Sequence, residues 1–153
     1  MPQNSDNSVI DDVNLSLLGE LQADARVSLA ELGRRVGLSP PAVAERLQRL
    51  RDAGVITGYR TEVDPRALGF ALSVVLRVRP TPRQLAKVAD VARESSEVVE
   101  CHRITGEDCF FCKLHVRDVE HLEEVIDRFV PFGQTTTSII QSSPVAARGV
   151  ALE

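Results

Sequence analysis

Aromatic side chains are scarce in this chain: it has no Trp, one Tyr and five Phe among 153 residues. A core can still form, because 43% of the residues are hydrophobic, but it must be largely aliphatic. Cysteine is sparse and odd in number. Cys101, Cys109 and Cys112 do not supply the disulfide framework of a small secreted scaffold. Long apolar runs are missing too. "FALSVVL" at 70–76 is among the longest, far short of the ~20 residues that cross a bilayer as a helix. The opening "MPQNSDNSVIDD" has neither a basic segment nor an apolar one, so it does not read as a secretory signal. These absences point to a soluble, cytoplasmic chain with no membrane partner.

Catalytic constellations are missing as well. His102, His115 and His121 are dispersed, and no pair has metal-ligand spacing, so no metal site is expected. There is no Gly-rich phosphate loop, no Ser/His/Asp order and no carboxylate pair placed for acid–base work. Glu123 and Glu124 read as a solvated helix face. The expectation is a non-enzyme with no catalytic residues and no cofactor.

What the chain does have is an uneven distribution of charge. Residues 1–25 carry a net −5, residues 26–60 a net +4 and residues 61–153 a net −3. A basic module inside an acidic protein suggests a polyanionic partner, although a solvated helix face gives the same signal. At its centre lies "GLSPPAVAERLQRL", residues 37–50. Ser39 reads as a helix cap, and Pro40 and Pro41 suit the first turn, where backbone N–H groups have no intrahelical partner. Val43, Leu47 and Leu50 share one face of this helix. Pro41, Glu45, Gln48, Arg49 and Asp52 point the opposite way, with Arg46 and Arg51 on the flanks.

Two helices precede it. The first fits about 11–24, with Val13, Leu17, Leu18 and Leu21 on one face. The second starts at a Ser28/Glu31 capping box, buries Leu29, Leu32 and Val36, and ends at Gly37. Gly54 ends the third helix, and "VITGY" follows as a short strand or wing. Three helices, a tight Gly-Leu-Ser turn and a basic outer face describe a helix-turn-helix that binds double-stranded DNA.

Residues 61–69, "TEVDPRALG", read as a linker. Beyond it come a strand "FALSVVLRVR", a helix "TPRQLAKVADVARES" capped by Thr81, and strands "VVECHRI" and "CFFCKLHV" joined by the turn "TGED". A helix capped by Asp118 follows, with Leu122, Val125, Ile126 and Phe129 inward, and then a strand "QTTTSIIQSS". The order β-α-β-β-α-β is the ferredoxin-like split βαβ. The strands read as apolar on both faces, while the helices cover one, which implies a second copy of the chain. The "CFFC" spacing lies in a strand, where residues three apart face opposite ways, so it is not a redox pair. Pairing Thr105 with Asp108 puts Cys101 opposite Cys112, and both read as core cysteines.

The run "SLAELGRRVGLSPPAVAERLQRLRDAGVITGYRTEVDPRALG" resembles the N-terminal half of Lrp/AsnC ("feast/famine") transcriptional regulators. "VVECHRITGEDCFFCKLHVRDVEHLEEVIDRF" followed by "TTTSIIQSSPV" is similar to their ligand-sensing half. The resemblance covers about 11–145. It implies a winged helix-turn-helix on an α/β sandwich, a homodimer that in the family often assembles into octamers, and a small effector, usually an amino acid. It places the helix-turn-helix at Leu29–Gln48, with Ser39–Arg49 in the major groove. The family's Gly-x-Asp turn falls on Gly106, Glu107 and Asp108, with Cys109 where an aromatic or apolar residue often follows.

The expected fold is therefore α+β, an N-terminal winged helix-turn-helix joined by a linker to a C-terminal ferredoxin-like βαββαβ sandwich. Its parts are a disordered tail at 1–9, a DNA-binding domain at 10–60, the linker at 61–69, and a sensing and oligomerisation domain at 70–153. DNA contacts are expected from Arg34, Arg35, Ser39, Pro41, Ala42, Glu45, Arg46, Gln48 and Arg49. Effector contacts are expected from Gly106, Glu107, Asp108, Thr135 and Thr137. Gly106 allows close approach of a carboxylate to the backbone, and Asp108 offers an acceptor for an ammonium group. An ordinary hairpin turn would use the same two residues for a positive φ and a local cap, and the resemblance favours the effector. The function expected is a sequence-specific regulator modulated by an amino acid. A nucleoid-type architectural protein and an amino-acid-binding domain of an enzyme are the alternatives.

Overall fold

The computed structural model describes residues 9–152, so the tail expected at 1–9 lies outside the described residues except for Val9. Two units form, one running to Glu62 and taking in the chain from Ala147 onward, the other spanning Val63–Ala146.

Caps start the helices of the first unit. The Asp11 carboxylate accepts the Asn14 backbone N–H at 2.7 Å and opens α1 (Asp12–Ala23). Ser28 Oγ accepts the Glu31 N–H at 3.1 Å and opens α2 (Leu29–Val36), which Gly37 ends at φ 71°. The capping box is half made, because the Glu31 carboxylate turns to Arg34 and Arg35. Ser39 precedes α3 (Pro40–Asp52) with both prolines in the first turn, but its hydroxyl makes no cap bond. Proline at the second helical position removes one of the two N–H groups that such a cap would serve.

Leu17, Leu32, Val43, Leu47 and Leu50 are buried at the centre of this unit, and Val13, Leu18, Leu21 and Val36 pack around them. Leu29, expected inside, opens α2 and stays 41% exposed. The expected wing is not formed. The Val55 and Ile56 N–H groups both donate to the Leu50 carbonyl, at 2.9 and 3.1 Å, so the chain folds back on the end of α3. Residues 57–60 belong to no strand. The last described residues, read from sequence as part of the second domain, cluster with the first: a Cβ built on Gly19 would lie 3.8 Å from the Leu152 side chain, and Gly149 lies beside Gln22.

In the second unit the latter half of the expected linker has local structure. Asp64 accepts the Arg66 N–H at 2.9 Å, and a 3-10 turn at Arg66–Leu68 ends at Gly69. Then come β1 (Leu72–Pro80), α4 (Leu85–Glu94), β2 (Val98–Arg103), β3 (Phe110–Val116), α5 (Val119–Phe129) and β4 (Gly133–Ile139). The strands form one antiparallel sheet in the order β2-β3-β1-β4, the βαββαβ arrangement of an α+β fold. One sheet face carries Val74, Leu76, Val78, Phe110, Cys112, Leu114 and Val116, packed with Val88, Ala92, Leu122, Val125 and Phe129 of the helices. Ile126 is half-buried against them.

Helix α4 starts later than its sequence suggests. Gln84 N–H donates to the Thr81 carbonyl at 3.0 Å, and Arg83 sits at φ 70° after Pro82. That is the pattern of a type II turn, not of a first helical turn. Thr81 is held instead by the Phe132 carbonyl, which accepts both its N–H and its hydroxyl.

The other sheet face is more polar than expected. Val75 and Phe111 lie among Ser73, Arg77, Lys113 and His115, and Cys109 falls outside β3. Cys101 does pair with Cys112 in the β2–β3 register. Cys112 is buried, but Cys101 is exposed because β2 is an edge strand. Among the described residues, no helix is long and apolar enough to cross a membrane.

Candidate functional site

The turn between α2 and α3 depends on a glycine that charge and periodicity did not single out. A Cβ on Gly33 would sit 2.3 Å from the Leu38 carbonyl oxygen, while the Leu38 N–H donates to the Gly33 carbonyl at 2.8 Å. Only a residue without a side chain lets the turn pass this close. The signal available in the sequence was a glycine inside a helical pattern, "ELGRRV".

Beyond that turn, α3 buries Val43, Leu47 and Leu50 and presents Pro41, Glu45, Gln48 and Arg49 to solvent. Ala42 is half-buried, and Ser39 is exposed. The Arg49 side chain is 62% exposed, with the Glu45 carboxylate 3.6 Å away on the same helix. Gln48 donates to Asp52 and accepts from Arg51, both at 2.7 Å. An exposed ion pair of this kind contributes at most about 1 kcal/mol, so it exchanges readily for another partner.

The other arginines named from the sequence are engaged differently. Arg46 donates to Asp11 at 2.7 Å and to the Asn14 side chain at 3.1 Å, which binds α3 to the start of α1. Its side chain is 25% exposed, and its hydrogen bond is the chief cause that holds the Asp11 carboxyl below the usual range. Asn14 is itself buried and donates to the Val9 carbonyl at 2.7 Å. Arg35 pairs with Glu20 and, at 2.8 Å, with Glu31, linking α2 to α1. Arg34 pairs with Glu31 at 2.6 Å and remains open to solvent. Hydrogen bonds from Arg34 and then Arg35 pull the Glu31 carboxyl down to about 2.

In the sheet unit, Gly106 adopts φ 108° in the turn between β2 and β3, and the Ile104 N–H closes it on the Cys109 carbonyl at 2.9 Å. The acidic side chains of the turn meet arginines of β1. Asp108 lies 3.5 Å from Arg77, and Glu107 pairs with Arg79. Thr135 and Thr137 pair with Val78 and Leu76 on β4, on the sheet face that carries the helices. Strand β1 separates them from β3, so within one chain they do not join the turn.

Residues 10–51 match the AsnC-type helix-turn-helix domain, and residues 73–150 match the Lrp/AsnC ligand binding domain. The HTH-type transcriptional regulator LrpC of Bacillus subtilis is 32% identical over 133 residues, which is 87% of this chain and 92% of that protein. The LrpC structure superposes with a TM-score of 0.86 at 31% identity, covering 90% of this chain and 99% of that one. The feast or famine regulatory protein of M. tuberculosis, solved in complex with L-methionine, gives 0.85 at 31% identity, covering 92% and 97%. In sequence, in both halves and in fold, this chain belongs to the Lrp/AsnC family of helix-turn-helix transcriptional regulators.

Proposed function

We propose that the chain is a cytoplasmic, non-catalytic regulator that reads DNA through the outer face of α3 and responds to an amino acid at the 105–108 turn. The exposed Arg49 guanidinium carries the DNA half of this reading. It stands on a helix whose opposite face is clamped in the core, so it can reach a base edge without the helix moving. Pro41, Ala42, Glu45 and Gln48 share the surface around it. Arg34 and Ser39 contact the flanking phosphates, and Arg35 and Arg46 add positive potential while bracing the helices. Arg49→Ala should weaken binding to the natural duplex by about 1–3 kcal/mol with unfolding unchanged. Unaltered affinity would place the reading face elsewhere.

Arg77 and Asp108 form an ion pair at 3.5 Å whose members an amino acid could engage in exchange, the guanidinium taking its carboxylate and the carboxylate its ammonium group. Because Thr135 and Thr137 lie beyond β1, they would complete such a site only from another copy of the chain. This favours a homodimer, the unit from which an octamer would assemble. The M. tuberculosis relative with L-methionine supports an amino acid as the ligand class. Asp108→Ala should abolish the effector's influence on DNA binding while effector-free affinity stays near the parent value. A variant that responds as the parent does puts the sensing site outside the turn.

A further inference from the structure

Cys101 and Cys112 occupy directly opposite positions on β2 and β3. The Ile104 N–H bonds to Cys109, so residues 104 and 109 form a hydrogen-bonded pair. Strict alternation along the antiparallel ladder then makes Cys101 and Cys112 a pair without mutual backbone bonds, where Cα atoms approach to about 4.5 Å. That lies inside the range of about 4.4–6.8 Å over which disulfides form. The two sulfurs are already 3.3 Å apart, with the Cys112 thiol donating toward Cys101. Closing a bond of about 2.05 Å needs a shift of little more than 1 Å. Strand β2 can supply it, since it is an edge strand with a register break next to Glu100.

The pair is also asymmetric in access. Cys112 is fully buried, and that burial, reinforced by its bond to Cys101, pushes its thiol far above the ordinary range. Cys101 is exposed and borders a groove of about 350 Å³ shared with Arg93, Arg103, Val99 and Phe110. A small oxidant can therefore reach one sulfur while the other waits behind it.

We propose that Cys101 and Cys112 form a reversible oxidation site, at which a hydroperoxide converts the pair into an intrachain disulfide between β2 and β3. The Cys101 thiolate attacks the terminal peroxide oxygen and the O–O bond breaks. Cys101 becomes a sulfenic acid, and the departing oxygen takes a proton as water or an alcohol. The Cys112 sulfur then attacks the Cys101 sulfur. The S–O bond breaks, and the hydroxide leaves as water with the Cys112 proton. Two thiols lose two electrons in total and the peroxide gains them. The bridge ties the edge strand to its neighbour just behind the 105–108 turn.

The test exposes the full chain to hydrogen peroxide, denatures it, alkylates it and measures its intact mass. The expected product has lost two hydrogens and keeps one alkylatable thiol of the three, which peptide mapping assigns to Cys109. Dithiothreitol should restore all three. Cys109→Ser should form the same bridge. Cys112→Ser should instead stop at a Cys101 sulfenic acid that dimedone traps. Three alkylatable thiols after peroxide, a bridge that contains Cys109, or oxygen added to Cys101 in the parent without a bridge would each overturn the proposal.

Discussion

The two units solve the stability problem with unequal means. Among the described residues, the helical unit has five buried apolar side chains at its centre and the sheet unit has twelve. In the helical unit, arginines with partners distant in sequence tie helix to helix. Arg46 reaches Asp11 and Asn14, and Arg35 reaches Glu20, so each ties one helix to another. The sheet unit has a charged cluster at the edge of its core, with Arg128 still 42% exposed. Glu97 accepts from Arg128 at 2.9 Å and pairs with the buried His121 at 2.9 Å, which fastens the loop before β2 to α5. Partner location thus separates two jobs for one residue type. In the helical unit, Arg35 and Arg46 pair across helices and brace the fold, whereas Arg49 pairs along its own helix and stays exposed.

The comparison can be broken most directly in the smaller core. Leu50→Ala should cost about 3 kcal/mol, and hydrogen exchange should rise across α1–α3 while β1 and β3 stay protected. Equal loss of protection in both units would mean that their cores are not separate. Next comes Glu97→Gln. Hydrogen bonding by Arg128, and less strongly by His121, holds the Glu97 carboxyl at about 2, below its ordinary value. A depressed carboxyl stabilises the fold above the unfolded-state pKa, and that stabilisation is lost as pH falls. The variant should therefore be about 2 kcal/mol less stable than the parent at pH 7. Urea titrations should show this gap narrowing steadily as pH falls from about 4.5 toward 2.

Smaller effects sharpen the contrast between arginines. Arg46→Ala should cost about 1 kcal/mol of stability, read from denaturant midpoints, because two helices lose a shared tie. Arg49→Ala should change stability by no more than about 0.5 kcal/mol while weakening DNA binding. If the two variants exchanged behaviour, the distinction between bracing and reading arginines would be wrong.

Much of this was legible in the chain because it was local. Caps at Ser28 and Asp118, the prolines of α3 and the 3.6-residue period placed five helices, and the turn at Gly106 set the register that opposes Cys101 to Cys112. What escaped was non-local. "TPRQ" carries a helix-start pattern, but Thr81 is captured by the Phe132 carbonyl, fifty-one residues away, and α4 begins only after the turn. Arg46 reads as a flanking arginine on a helical wheel, open to DNA, until Asp11, thirty-five residues earlier, engages it. The exposure of Cys101 follows from strand order, which no single strand encodes. For the candidate site the sequence supplied the residues of α3 and of the turn, while the arginine partners Arg77 and Arg79 came from the sheet.

The return of the chain from Ala147 to lie beside α1 has a consequence for synthesis. The helices that carry the DNA-reading surface are translated first, yet the residues that complete their unit emerge only after the whole sheet unit has been made. During synthesis, Gly19 and Gln22 therefore lack these neighbours until residues 147–152 have emerged behind the sheet unit.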